Sequence, residues 1–421
     1  MLQNLEHHYI GPIRSFNRAA RLFLIMTIID GMILTGWQLF FNFYILQSGF
    51  NRDFLGLVNS MPSLAGLVLG IPLGRLSDRI GRKTALIIGL FVSSLTMLAQ
   101  ITFHQPAVIV LMAFLTGIFN MLFIISQAPL MVKLSNKENR TMLFSLNYGL
   151  QTIAGAVGSL FAGQLPAIFG TVLRVDANSA VAYQAVLIVS ILLGMTALIP
   201  LWAMQEPQTT QDSTSSTSPQ SKPSSSLTRM TLKMITPQIL IGFGAAILIP
   251  YMNVFFKFRF NISDSLLGFL FSLSALMIGV GTLIGPRLAT RLGGKVHAVV
   301  ATQFSSLIFL LVMGFAPFLW LSAIGYLMRT ALMNMSSPLF SAFCMEHTPE
   351  NQQGYVNSLL NLSWNIGWAV GPFISGLVQQ NYGFTPLFIA TAVLYLTAIV
   401  FAWFFFVREE RPAIAPATII Q

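Results

Sequence analysis

Charged residues are scarce in this chain. They make up 9% of its 421 residues, against 55% hydrophobic ones, where an ordinary soluble domain carries about 25% charge. A soluble core cannot hide that much apolar surface. The deficit excludes a water-soluble globular fold and makes lipid the solvent for most of the chain. Cysteine is nearly absent: the single Cys344 excludes an internal disulfide framework and resembles no metal site. Catalytic constellations are missing as well. There is no His-Glu-x-x-His, no Gly-rich phosphate loop ending in Lys-Ser/Thr, and no pair of carboxylates within helical reach. His7, His8, His104, His297 and His347 fall at ends or loops and suggest no ligand cluster. An enzyme, a resident metal and a cofactor are therefore not expected. Without a nucleotide fold, energy must come from ion or solute gradients.

What the chain does have is apolar runs of spanning length, on the order of 20 residues each. Twelve are read, at 20–47, 53–75, 84–103, 106–132, 141–168, 180–203, 234–258, 265–290, 296–316, 318–345, 352–379 and 385–407. Backbone in hydrocarbon must satisfy its own hydrogen bonds, so the runs are helices; a barrel would alternate apolar and polar residues instead. The first run is too long for a cleavable signal peptide and reads as a retained span. The expected fold is an all-α membrane protein with 12 transmembrane helices.

The net charge of +10 invites a nucleic-acid reading, and topology removes it. With the N-terminus inside, cytoplasmic segments hold Arg14, Arg18, Arg21, Arg75, Arg79, Arg82, Lys83, Lys133, Lys137, Arg140, Lys222, Arg229, Lys233, Arg287, Arg291, Lys295, Arg408 and Arg411. Outer loops hold only Arg52, Arg174, Lys257 and Arg259. That bias places both termini in the cytoplasm. The excess positive charge is an orientation signal with some affinity for anionic lipid headgroups.

One composition break stands out. Residues 205–228, QEPQTTQDSTSSTSPQSKPSSSLT, offer no apolar face to bury and read as a flexible cytoplasmic linker. It divides the chain into two six-helix halves, 1–204 and 229–421, which are related in sequence. At a shift of 213 residues, Ser145, Ile153, Ala156, Val157, Gly158 and Gly163 fall on Ser358, Ile366, Ala369, Val370, Gly371 and Gly376. Small residues at four-residue spacing mark close helix approach: Gly66, Gly70 and Gly74; Ala154, Gly158 and Ala162; Gly367, Gly371 and Ser375. These are packing seams, or surfaces that slide when the molecule rocks between states.

The segment GRLSDRIGRK, with Gly74, Asp78, Arg79, Gly81, Arg82 and Lys83, lies between the second and third runs. A degenerate copy, PRLATRLGGK, returns at a shift of 212, with Thr290 in place of Asp78. The pattern resembles the hairpin between spans two and three of the major facilitator superfamily, and the likeness extends over the whole chain through span count, duplicated halves and central linker. The resemblance implies secondary active transport by alternating access, with two pseudo-symmetric six-helix bundles and a substrate site between them near the midplane. It also implies that Asp78 and Arg82 stabilise the outward-open state by engaging the neighbouring half. Two departures from the pattern of proton-coupled drug exporters are visible: Ala113 where an Arg is usual in span four, and Ser159 where a Pro is usual in span five. GPFISG in span eleven is retained.

Only Asp30 places a carboxylate deep inside a span. A charge there costs about 2.5–3.5 kcal/mol on insertion scales, which marks it as functional by default. It is the candidate proton-coupling residue, or a ligand for a cationic group; the alternative is a structural ion pair or hydrogen-bonded packing residue. Trp37 shares its face with Phe41 at helical spacing. Its basic counterpart is Arg329 in span ten. At 1.5 Å per residue it lies roughly 25 Å from the inner end of its helix, and Asp30 roughly 14 Å from Arg21. Arg329 then pairs with Asp30 in one state, binds a substrate carboxylate or phosphate, or snorkels to the outer interface. Asn361, Trp364, Asn365 and Trp368 form one face of span eleven, and the repeat sets Tyr148, Gln151, Thr152 and Gly155 at the equivalent places of span five. A shared water-filled cavity or interfacial anchoring would explain these stripes. Gln38, Asn120, Gln127, Asn253 and Asn334 add polar positions in spans that line the cavity in the resembled family.

The expected function is movement of a small organic molecule by alternating access, as proton-coupled efflux. Rivals are a sugar, organic-acid or lipid-like solute uniporter or symporter, and a transport-dead membrane sensor. Expected partners are the small-molecule substrate, protons and membrane lipid, with no nucleic acid, in a monomer of the bacterial inner membrane.

Overall fold

A computed structural model describes residues 16–136, 139–205, 225–349 and 352–407. Arg14, Lys137, Lys222, Arg408, Arg411, His7, His8 and most of the expected 205–228 linker lie outside the described residues, as does the side chain of Arg229. Every regular element among the described residues is helical. The chain forms two compact units, Met1–Ser216 with Phe256–Ser272 and Thr217–Phe255 with Leu273–Gln421.

The first six spans are α1 (Arg18–Gln47), α2 (Arg52–Ile80), α3 (Arg82–Thr102), α4 (Pro106–Leu134), α5 (Arg140–Ala162) continued by α6 (Leu165–Leu173), and α7 (Ala180–Met195) continued by α8 (Leu198–Ala203). The next six begin with α9 (Ser225–Leu248), which starts inside the expected linker and passes through a 3₁₀ turn, Ile249–Tyr251, into α10 (Met252–Phe260). They continue as α11 (Asp264–Arg291), α12 (Lys295–Phe315), α13 (Leu319–Glu346), α14 (Gln353–Tyr382) and α15 (Thr385–Phe406). Ten spans are long and apolar enough to cross a membrane by composition alone. The remaining two, α13 and α14, have 28 and 30 residues and reach just as far, but polar side chains dilute their apolar character. Those polar residues belong to the candidate site.

Local chemistry sets the helix ends. Asn17 accepts from the Ala20 amide at 2.8 Å and caps α1, and Pro106 starts α4 where no amide is needed. Gly81 (φ 89°) turns α2 into α3, and its repeat partner Gly293 (φ 81°) turns α11 into α12; a side chain would strain both corners. Pro250 lies in the break between α9 and α10. Beside that break Ser375 donates to the Ile247 carbonyl, and Tyr251 donates to the Pro372 carbonyl at 2.8 Å. Interrupted helices persist in a membrane only when neighbours satisfy the freed backbone in this way.

Each unit has its own apolar core. One gathers Phe16, Phe23, Leu86, Phe123, Leu143 and Leu201; the other gathers Met234, Val299, Phe340, Phe343, Val356 and Phe406. Large apolar side chains such as Ile71 and Leu283 lie on the outside, 76% and 79% exposed, as lipid contact requires.

The small-residue ridges divide into two kinds. A Cβ on Gly158 would sit 2.0 Å from the Met32 carbonyl oxygen, and one on Gly31 would sit 2.8 Å from that of Gln151. Glycine thus lets α1 and α5 touch backbone to backbone. The second unit repeats this seam between α9 and α14. Gly242 meets the Trp364 backbone, Gly367 meets Gly242, and Gly371 meets Ala246. By contrast Gly74 has nothing within 4 Å, and Gly66 and Gly70 meet only the flexible tip of Met121.

Candidate functional site

The close α1–α5 seam fixes where Asp30 sits. Gln151 is both the backbone against which Gly31 packs and the side chain that hydrogen-bonds the Asp30 carboxylate. Asp30, Leu34 and Trp37 form the α1 wall of a cavity of about 170 Å³ inside the first unit. The other walls are Pro62 of α2, Ser93 and Ser94 of α3, Thr116 and Asn120 of α4, and Ser190 of α7. Asp30 is the one ionisable residue in that lining. Trp37 is fixed by stacking on Phe41, with ring centroids 4.3 Å apart. Deeper in the wall, the Thr116 hydroxyl bonds Thr96 at 2.8 Å and accepts from Gln100 at 2.8 Å. The arrangement can hold a carboxylate away from lipid, supply it with neutral hydrogen-bonding neighbours, and let it take or release a proton.

The second unit encloses a cavity of about 350 Å³. Arg329 lines it and is only 5% exposed. Its Nη2 donates to the Tyr395 hydroxyl at 2.7 Å, with the guanidinium carbon 5.8 Å from the centre of that ring. Tyr395 is held in turn by α9: a Cβ on Gly244 would approach its ring to 2.8 Å, and Thr391, one turn earlier on α15, donates to the Gly244 carbonyl. Asn334, Asn361 and Trp364 line the same cavity, together with Gln238, Gln303 and several serines. Arg329 is thus buried against Tyr395 and does not snorkel to an interface.

The other expected site residues fall outside these two linings. Tyr148 is 51% exposed, Gln38 is exposed and Gln127 half-buried. Asn253 is buried, its side-chain Oδ1 accepting from the Val254 backbone amide. Asn365 is half-buried and spends its amide on the Asn361 carbonyl one turn back. Trp368 lies 6.3 Å from Trp364 between ring centroids and has a buried indole N–H without a partner among the described residues. Sequence reasoning missed Tyr395, whose only signal was a lone hydroxyl in the apolar run of span twelve, and Gln238 and Gln303.

At the GRLSDRIGRK hairpin, Arg82 pairs with Asp78 across the Gly81 corner and donates to Ser77 at 2.9 Å. Lys83 donates to the Trp202 and Met204 carbonyls, tying α3 to the end of the sixth span. Gly81 supplies the turn, Gly74 is open, and Arg79 is exposed. In the repeat copy, Lys295 pairs with Glu346. A second polar cluster, unnoticed in the sequence, lies in the first unit where Phe256–Ser272 packs. Lys257 pairs with Asp264 at 2.6 Å, Tyr183 donates to the same carboxylate at 3.2 Å, and Lys257 donates to Asn178 at 2.7 Å. Gly163 and Gly268 touch through their backbones beside it. Lys257 had counted only as an outer-loop charge.

Two repeat-related sets of six spans, each with a cavity lined by one charged side chain, define a polytopic membrane protein built by duplication of a helical bundle. The chain belongs to the Major Facilitator Superfamily, whose family model matches residues 23–359 and 234–420. Among curated relatives, the multidrug resistance protein MdtG of Yersinia enterocolitica serotype O:8 / biotype 1B is 29% identical over 146 residues, 34% of each chain. MdtG of Rahnella sp. is 29% identical over 147 residues, again 34% of each. The match spans about a third of these relatives' length. Among solved structures, the nucleoside transporter NupG is similar at 15% identity and TM-score 0.72 over 93% of this chain and 99% of that one. A bacterial homologue of the iron transporter ferroportin, in an inward-facing state, is similar at 15% identity and TM-score 0.72 over 91% and 98%. At such identities these structures share the fold.

Proposed function

We propose that this protein is a secondary active transporter that exports a small organic molecule in exchange for protons. Asp30 carries the proposal: a carboxylate on a membrane span, facing a small and mostly apolar cavity, with Gln151 as its hydrogen-bonding partner. A carboxylate so placed is expensive to keep charged and has a reason to persist when it cycles between protonated and ionised forms. Family membership supports transport, and the partial likeness to proteins named for multidrug resistance supports export. Asp78 and Arg82 fit the role of a cytoplasmic gate, since a half-buried arginine paired with an exposed carboxylate within one hairpin can exchange partners at little cost. The lysine and arginine bias supports cytoplasmic termini in a bacterial inner membrane, with a monomer as the working unit. Nothing in this cycle requires a catalytic step or a cofactor.

The test is transport by the purified full chain in right-side-out and inside-out proteoliposomes, across a chemically diverse panel, with and without a pH gradient. The expected result is gradient-driven accumulation that Asp30→Asn abolishes while exchange or downhill flux survives. Accumulation by Asp30→Asn with unaltered pH dependence would overturn proton coupling through this residue.

A further inference from the structure

Among the described residues, the cavity of the second unit contains a cation with no counter-ion. Arg329 is 5% exposed, and of its donors one Nη2 hydrogen goes to Tyr395 while Nε is buried without a partner among the described residues. No Asp or Glu lines the cavity. Within this unit the one described carboxylate is that of Glu346, which is exposed and pairs with Lys295. A guanidinium taken out of water and left without an anion is costly. The remaining polar lining, such as Gln303, Asn334 and Asn361, consists of amides and hydroxyls that can donate to an oxyanion.

We propose that this cavity is a binding subsite for an organic monoanion, a carboxylate or sulfonate on a compact apolar body, held by Arg329. The proposal rests on the transporter reading and names its substrate class. Nε is shut off from the cavity, so an oxyanion is received at the Nη end of the guanidinium, through the fork of hydrogens that Tyr395 does not take. Tyr395 holds Nη2 and so fixes the plane of that fork before any ligand arrives. The ligand is a monoanion because one arginine supplies the only charge in the lining; a dianion would leave one negative charge buried and uncompensated. Its body is apolar because Ile241, Leu360 and Trp364 also line the cavity.

Binding to purified full-length protein in detergent tests this without a gradient, so the outcome is separable from transport and coupling. The probes are 1-naphthoate, 1-naphthalenesulfonate, the neutral 1-naphthamide and the dianionic 1-naphthyl phosphate, titrated by calorimetry. Wild type is expected to bind the two monoanions on the order of 10- to 100-fold more tightly than the amide, the range a charge-assisted pair supplies. Arg329→Gln should erase that preference while leaving amide binding within about threefold. Arg329→Lys, which keeps the charge and loses the fork, should retain part of it. If Arg329→Gln does not yield folded protein, Tyr395→Phe serves in its place, with an expected severalfold loss for the monoanions alone. Equal wild-type affinity for amide and carboxylate, tighter binding of the phosphate, no binding of any anion, or unchanged monoanion binding in folded Arg329→Gln would each overturn the assignment. Should the binding results hold while proteoliposomes show no flux, the subsite stands and the transport proposal falls.

Discussion

The two units share one packing scheme and use it for opposite chemistry. In the first, the glycine seam between α1 and α5 sets Asp30 against Gln151 in a cavity of about 170 Å³. In the second, the equivalent seam between α9 and α14 sets Ile241 at the matching place, and the charge comes instead from Arg329 on α13, in a cavity of about 350 Å³. Duplication fixed the helix contacts; the residues facing each cavity were then free to diverge. On the roles proposed above, the smaller, acidic cavity would serve a proton and the larger, basic one an organic anion, so that either could be tuned without rebuilding the other.

The largest effect is expected where the seam itself is broken. Gly158→Val would drive a side chain into the Met32 carbonyl, which lies 2.0 Å from the ideal Cβ. Size-exclusion profiles should show no monodisperse protein. Gly371→Val meets first the Ala246 side chain, at 2.6 Å, and should give folded protein with a lower melting temperature. Equal damage from both would show that the seams are equivalent after all.

Next in size is the contrast between the two charges. Asp30→Asn should lower gradient-driven accumulation about 100-fold or more and flatten its pH dependence. Arg329→Gln should weaken substrate affinity while the remaining transport stays pH-dependent. Flux measured across a pH series separates them; a flat profile in Arg329→Gln would mean that the two cavities titrate as one.

A smaller effect is expected at the Lys257–Asp264 pair of the first unit. Removing one partner of a buried pair costs about 3–5 kcal/mol, largely through the charge left behind. Lys257→Gln should therefore raise labelling of a Cys placed at Ser265 severalfold, on a Cys344→Ser background. The double variant Lys257→Gln with Asp264→Asn should bring it back most of the way. Labelling that ignores both changes would show that the cluster does not hold this region closed.

The smallest effect concerns the open ridge on α2. Gly74→Ala meets nothing within 4 Å and should change thermal stability by no more than about 1 kcal/mol, the difference in helix propensity. Gly117→Ala, with the Pro62 backbone 2.4 Å from its Cβ, should be visibly destabilised. If Gly74→Ala slows flux without touching stability, the ridge is a surface that moves.

Much of this was legible in the sequence, and the reasons are physical. Apolar runs report spans because lipid leaves no alternative, and the shift that carries Gly158 onto Gly371 reported the shared seam. Asp30 and Arg329 announced themselves by the cost of charge in hydrocarbon. Periodicity identified the stripe on α14 but not how far along it the cavity extends: Asn361 and Trp364 reach it, while Asn365 and Trp368 fall outside its lining. Tyr395 was invisible because its partner lies 66 residues away, and a tyrosine in an apolar span looks like any other aromatic. The Lys257 cluster joins residues from Asn178 to Asp264 across distant spans, a conjunction no local pattern reveals.

The packing of Phe256–Ser272 with Met1–Ser216 means that the covalent order of the chain and its physical partition disagree. A gene cut within residues 206–224 would express a first fragment deprived of a strap it normally packs with, leaving Tyr183 without Asp264 and Asn178 without Lys257. Supplying the missing piece in trans, as a second fragment beginning at Ser225, would restore it. The two polypeptides would then recognise each other through a borrowed hairpin, and complementation between fragments would need no peptide bond at all.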